Sequence, residues 1–134
     1  MEEKLGFADV TAQGLAHYGG NITYRIPVEC GGDVKITVPH YTGSGVRVEL
    51  DGKREHIAYA PYSVTVKDVT PGAHVLDVTL LGHRANCFGP VHLADPIYPW
   101  LGPDSWRTQN EQWTESYRLK SLGIMTAPIV ECQE

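Results

Sequence analysis

Between Asn21 and Leu80 apolar and polar residues alternate with a period of two. Ile22, Tyr24, Ile26 and Val28 share one face, with Thr23, Arg25 and Pro27 on the other. Such alternation belongs to a strand with one buried face, and Pro27, which lacks a ladder donor, places that strand at an edge or at its end. The pattern resumes at Val34, Ile36 and Val38 after Gly31-Gly32-Asp33, and again at Val46, Val48 and Leu50, with Arg47 and Glu49 outward. Asp51-Gly52 then predicts a tight hairpin, because both positions of that turn require positive φ. The returning strand is expected over His56–Ala60, the next over Tyr62–Lys67 and another over Leu76–Leu80, with Thr70-Pro71-Gly72 as a turn between the last two. Short strands spaced roughly ten residues apart, each with a polar outer face, predict an all-β antiparallel sandwich whose core is the even-numbered set.

From Gly82 to Glu115 the alternation stops. This stretch holds Pro90, Pro96, Pro99 and Pro103 and all three tryptophans, Trp100, Trp106 and Trp113. A long irregular excursion in a compact domain is usually functional or packs over a neighbouring surface. Asp104 is placed to cap a short helix starting near Ser105. Order returns at Tyr117 and Leu119, and the last strand is expected over Pro128–Cys132.

Composition narrows the partners more than the fold. A chain of 134 residues has the size of one domain, or of one module of something larger, and should bury roughly two-thirds of its unfolded surface. Its net charge of −5 supplies no drive toward phosphate backbones, so neither nucleic acid nor an anionic membrane is an expected partner. No apolar run approaches the length of a membrane span. Met1-Glu2-Glu3-Lys4 has neither the basic nor the apolar part of a signal peptide.

Three cysteines, Cys30, Cys87 and Cys132, form no CxxC or CxxxC pair. The odd count favours reduced thiols, with a Cys30–Cys132 bridge between strands near opposite ends as the alternative. Of the six histidines, His17, His40, His56, His74, His83 and His92, no two are separated by a single residue, so the paired-His metal site of cupins is not expected. No metal or cofactor is anticipated from these spacings, while a calcium held by backbone carbonyls and carboxylates, whose ligands follow no short spacing, stays open. GxSxG, P-loop and GxGxxG motifs are missing, which removes serine-hydrolase and nucleotide readings. Asp95, Asp104, Glu111 and Glu115 lie near the tryptophans, but polar loops collect carboxylates anyway, and no catalytic pair is assigned among them.

Two segments carry a family resemblance. Val46-Arg47-Val48-Glu49-Leu50-Asp51-Gly52-Lys53-Arg54, followed by Ala60-Pro61-Tyr62-Ser63-Val64 and Asp68-Val69-Thr70-Pro71-Gly72-Ala73-His74-Val75-Leu76, resembles the galactose-binding-like jelly-roll domain attached to many large glycoside hydrolases, the sugar-binding domain of family 2 enzymes among them. The tail, Gly82-His83-Arg84-Ala85-Asn86-Cys87-Phe88-Gly89-Pro90-Val91-His92 with Gly102-Pro103-Asp104-Ser105-Trp106 and Tyr117, Leu119, Gly123 and Ile124, is similar to C-terminal modules of rhamnosidase-like bacterial glycoside hydrolases. The match covers about residues 18–131. It implies that residues 1–134 are one jelly-roll sandwich, a piece of a larger multidomain protein. It also implies that the domain is non-catalytic, with the catalytic domain of the same parent chain as its partner. The location is open; with no signal peptide in these residues and a bacterial resemblance, the bacterial cytoplasm is slightly favoured.

Two readings of the excursion follow. In the first, the tryptophans close one end of the sandwich or pack on the adjacent catalytic domain, since large aromatics anchor interfaces. In the second, Tyr98, Trp100, Trp106 and Trp113, with Arg84, Asn86 and His92, bind a carbohydrate, flat rings lying on sugar faces and planar polar groups bridging hydroxyls. Arg84 and Asn86 have a further role open to them, satisfying the irregular backbone of their own loop.

Overall fold

In the computed structural model, which describes residues 5–95 and 101–133, the chain runs through β1 (Ile22–Thr37), β2 (Tyr41–Thr42), β3 (Gly45–Leu50), β4 (Lys53–Ile57), β5 (Ser63–Leu81), β6 (Gly123–Ile124) and β7 (Ile129–Gln133). Single helical turns occupy Val10–Gln13, Ala85–Phe88 (α1) and Pro103–Trp106. Five strands form one sheet in the order β4-β3-β5-β1-β7, and β2 pairs with β6 in a second, two-stranded sheet; all pairings are antiparallel. The architecture is the expected all-β sandwich.

The hairpin forms as the Asp-Gly pair predicts. Leu50 faces Lys53, and the two residues between them have φ of 52° and 72°. The return strand therefore starts at once, at Lys53 rather than at His56, because a two-residue turn leaves no slack before pairing resumes. Two other expected turns are not reversals at all. Gly31-Gly32-Asp33 lies inside β1, and Thr70-Pro71-Gly72 lies inside β5. These strands pair from Ile22↔Leu80 to Thr37↔Ser63, and the ladder slips register between Cys30 and Val34, where Cys30 faces Gly72 and Gly32 faces Val69. Gly32, Asp68 and Gly72 have φ of 77°, 52° and 142°. Left-handed residues permit a bulge as readily as a turn, and here they put a kink in both strands at the same level. A Cβ on Gly31 would stand 2.8 Å from Pro71 Cα, so the two strands come close only because that residue is glycine.

The slip divides the ribbon into two limbs. β3 joins the first, from Gly45↔Leu81 to Glu49↔Asp77, and β7 joins the second, from Thr37↔Ile129 to Asp33↔Gln133. Ile22, Tyr24, Val46, Val48, Leu50, Leu76, Val78 and Leu80 from the first limb share one core with Val34, Ile36, Val38 and Val66 from the second. Ile26, Val28 and Val64 pack against that core half-buried, whereas Tyr62, also on the expected face, is exposed. Val69 breaks the even-numbered rule, being buried just after the left-handed Asp68.

Val10, Leu122 and Ile124 complete the core, each fully buried. They come from segments too short to display a period. Val10 N–H donates to Leu122 O at 2.8 Å, and one Asp9 carboxylate oxygen accepts from Thr11 N, Thr11 Oγ1 and Leu122 N at 3.0, 2.7 and 3.2 Å.

The β3–β4 turn is tied to the kink. Asp51 accepts from Thr70 N–H at 3.0 Å and Thr70 Oγ1 at 3.1 Å, and Lys53 Nζ donates to the carbonyls of Lys67 and Asp68. The Thr70 hydrogen bonds hold the Asp51 carboxyl below its ordinary value. A group depressed in the folded state stabilises fully above its unfolded pKa, and that contribution is lost as pH falls through the depressed value. The thermal midpoint of the wild type should therefore fall more steeply than that of Asp51→Asn between about pH 5 and about pH 2. Parallel acid limbs would show that the Thr70 contacts contribute nothing in solution.

Candidate functional site

The excursion begins with a helical turn held from below. Asn86 in α1 is 3 % exposed, and its amide forms a two-point pair with one backbone residue: Nδ2 donates to Lys120 O at 2.7 Å, and Oδ1 accepts Lys120 N–H at 2.8 Å. Its own carbonyl accepts from His17 Nδ1 at 3.0 Å, and Cys87 Sγ donates to His17 O. Three segments far apart in sequence are thus locked around one asparagine. Arg84, exposed, starts this turn; its carbonyl accepts from Cys87 and Phe88 N–H.

Beyond Pro90 the chain pairs with its own return. Thr114 N–H donates to His92 O at 2.8 Å, Ala94 N–H to Gln112 O and Arg118 N–H to Val91 O, both at 2.6 Å, and Leu93 bridges Trp113. His92 Nδ1 donates to Thr114 O at 2.9 Å, which sets its ring plane. That ring stacks on Trp113 with centroids 6.0 Å apart and an interplanar angle of 25°, and lies 4.7 Å from Tyr117. Tyr117 in turn meets His17 edge-on at 5.1 Å. The result is a continuous row, Trp113–His92–Tyr117–His17, with Tyr117 60 % exposed.

Trp106 ends the Pro103–Trp106 turn and is 52 % exposed. Ser105, not Asp104, ties that turn back, its Oγ accepting Gly102 N–H at 3.3 Å. Asp104 instead forms an ion pair with Arg107. Among the described residues no ring contact joins Trp106 to the row. Tyr98 and Trp100 lie outside the described residues. Of the site expected from sequence, the fold therefore joins His92 to Trp113, turns Asn86 inward to Lys120 and His17 as a strut, and leaves Arg84 and Trp106 exposed elsewhere on the excursion.

His17 and Tyr117 were not expected at this site. No local signal could have found His17, because the contact that places it spans 69 residues of chain. A cavity of about 290 Å³ lined by Pro39, His40, Tyr41, Gly43, Ser44, Ala58 and Tyr62 was likewise not expected. Chemically, the row offers aromatic faces with polar edges. Such a surface suits an apolar protein face or the hydrophobic side of a sugar ring.

No protein-family model matches the sequence, and no curated protein matches it. Among solved structures the chain is similar to a GH2 β-galacturonidase from Eisenbergiella tayi, in its glycerol-bound form (TM-score 0.58) and its galacturonate-bound form (TM-score 0.57). Identity is 20 % in both cases, and all of this chain aligns with only 20 % of theirs. The fold is thus that of one part of a GH2 enzyme, and this chain spans about one-fifth of that enzyme's length.

Proposed function

We propose that this chain is a non-catalytic accessory domain of a bacterial glycoside hydrolase, and that its 82–115 excursion docks on the catalytic domain of the same parent chain. The observation that carries this reading is the alignment of the whole chain with one-fifth of a GH2 enzyme. The exposed large apolar side chains of the excursion support it: Phe88, Leu101 and Trp106 are 72 %, 54 % and 52 % exposed, and the same excursion carries the half-open Trp113–His92–Tyr117 row. Large apolar side chains left open to solvent are what an interface covers. The jelly-roll assignment belongs to the same reading.

A second reading, a carbohydrate-binding module, is favoured by the row alone, since its ring faces would accept a pyranose. One experiment separates the two. The isolated chain is mixed with the catalytic segment of its parent polypeptide, and separately titrated with neutral and anionic glycosides while tryptophan fluorescence is followed. The docking reading expects co-elution with the catalytic segment, weakened by Trp106→Ala and Trp113→Ala, with no glycoside hydrolysis by the chain alone. A saturable fluorescence change on glycoside titration, abolished by Trp113→Ala, with no co-elution, would replace it by the second reading. Turnover by the chain alone would sink both.

A further inference from the structure

Cys30 and Cys132 begin 102 positions apart and end on neighbouring strands, Cys30 on β1 and Cys132 on β7. Cys132 pairs with Val34 across the β1–β7 ladder, so its side chain points to the same face as Val34. Cys30 is buried in the same core as Val34, across the register slip at Gly32. The backbones are close at that level: a Cβ on Gly32 would meet Gln133 O at 3.0 Å. Both thiols are unbridged, and after burial Cys132 is among the groups that push the Cys30 thiol up. Their settings differ, Cys30 being buried at 8 % exposure and Cys132 exposed.

We propose that Cys30 and Cys132 form a thiol–disulfide exchange site that takes a low-molecular-weight disulfide and, once oxidised, fastens the last strand to the kink of the first. The exposed Cys132 thiolate attacks one sulfur of the small disulfide, and one small thiolate leaves. Cys30 gives up its proton and attacks Cys132 Sγ of the mixed disulfide, and the second small thiolate leaves. Two protein thiols are oxidised by two electrons, the small disulfide is reduced to two thiols, and the two protons pass to the released thiolates. The order of attack follows from the surroundings: burial, the neighbouring Cys132 and the Asp51 carboxylate push the Cys30 thiol up, so Cys132 reacts first. β7 is the edge strand of its sheet, bound through five residue pairs along one side, and it is the element such a bond would hold.

The test uses the full chain carrying Cys87→Ser, treated with oxidised glutathione, denatured, alkylated and weighed. Both remaining thiols should resist alkylation with no glutathione retained. A proteolytic digest should contain the Cys30 and Cys132 peptides joined. The thermal midpoint should rise by about 5 to 15 °C over the reduced protein, because the bond closes a long loop of the unfolded chain. Cys132→Ser in the same background should show no such rise. A stable glutathione adduct on Cys132, disulfide-linked dimers, two freely alkylated thiols, or a bond that leaves the midpoint unchanged would each overturn the proposal.

Discussion

Replacing Gly123 with alanine is expected to cost on the order of 4 kcal/mol of folding free energy. Two effects add at this position. Gly123 has φ of 148°, a backbone conformation that a side chain opposes, and a Cβ built there would stand 2.3 Å from Ala8 O and 3.2 Å from Ala8 C. The obstruction is backbone, so no rotamer relieves it. Relief requires the Gly6–Val10 segment to move off β6, which would break the Val10–Leu122 and Asp9–Leu122 hydrogen bonds and open the core around Val10, Leu122 and Ile124. Gly52→Ala is the control. Its φ of 72° is also left-handed, but nothing lies within 4 Å of the added carbon, so only the conformational cost of about 1 kcal/mol is expected. Urea denaturation of the two variants at equal m-value measures the difference. Equal losses would mean that the amino-terminal segment is not seated on Gly123.

Asn86→Ala is expected to destabilise by about 1 to 3 kcal/mol, because both backbone groups of Lys120 lose their partner at a part-buried contact. Asn86→Asp should be nearly as harmful: a carboxylate accepts Lys120 N–H but presents a second acceptor to Lys120 O. The damage should be directional. Lys120 and the 84–92 turn should lose amide-exchange protection before the β1–β5 ladder does, since the asparagine joins loops rather than sheet. Uniform loss of protection, or a cost below about 0.5 kcal/mol, would remove Asn86 from the role of strut. In the docking reading the same substitution weakens the complex indirectly, by freeing the turn that precedes His92.

The particular elements explain what could be read in advance. Val46, Val48 and Leu50 and the Asp51-Gly52 turn were legible because every cue lies within ten residues and the side-chain period of a strand is two. Gly31-Gly32 and Pro71-Gly72 were legible as breaks but misread as reversals. Glycine reports that φ leaves the usual region; it does not report whether a partner strand continues on the other side of the break. His92 and Trp113 were singled out as residue types suited to an aromatic surface, and the fold stacks them. Their neighbours His17 and Tyr117 had no such signal.

By itself, then, the amino-acid sequence determined the all-β class, the buried faces of the strands and the one stretch where regular pairing stops. Each is written in local alternation or in the conformational demands of single residues. Only the tertiary structure decided that two pairs of expected strands are two kinked strands, that Val10, Leu122 and Ile124 close the core, that Asn86 faces inward to Lys120, and that Cys30 and Cys132 come to neighbouring strands. These contacts join residues 34 to 113 positions apart where a hydrogen bond defines them, and their free energy comes from burial and pairing that exist only once the chain has closed on itself.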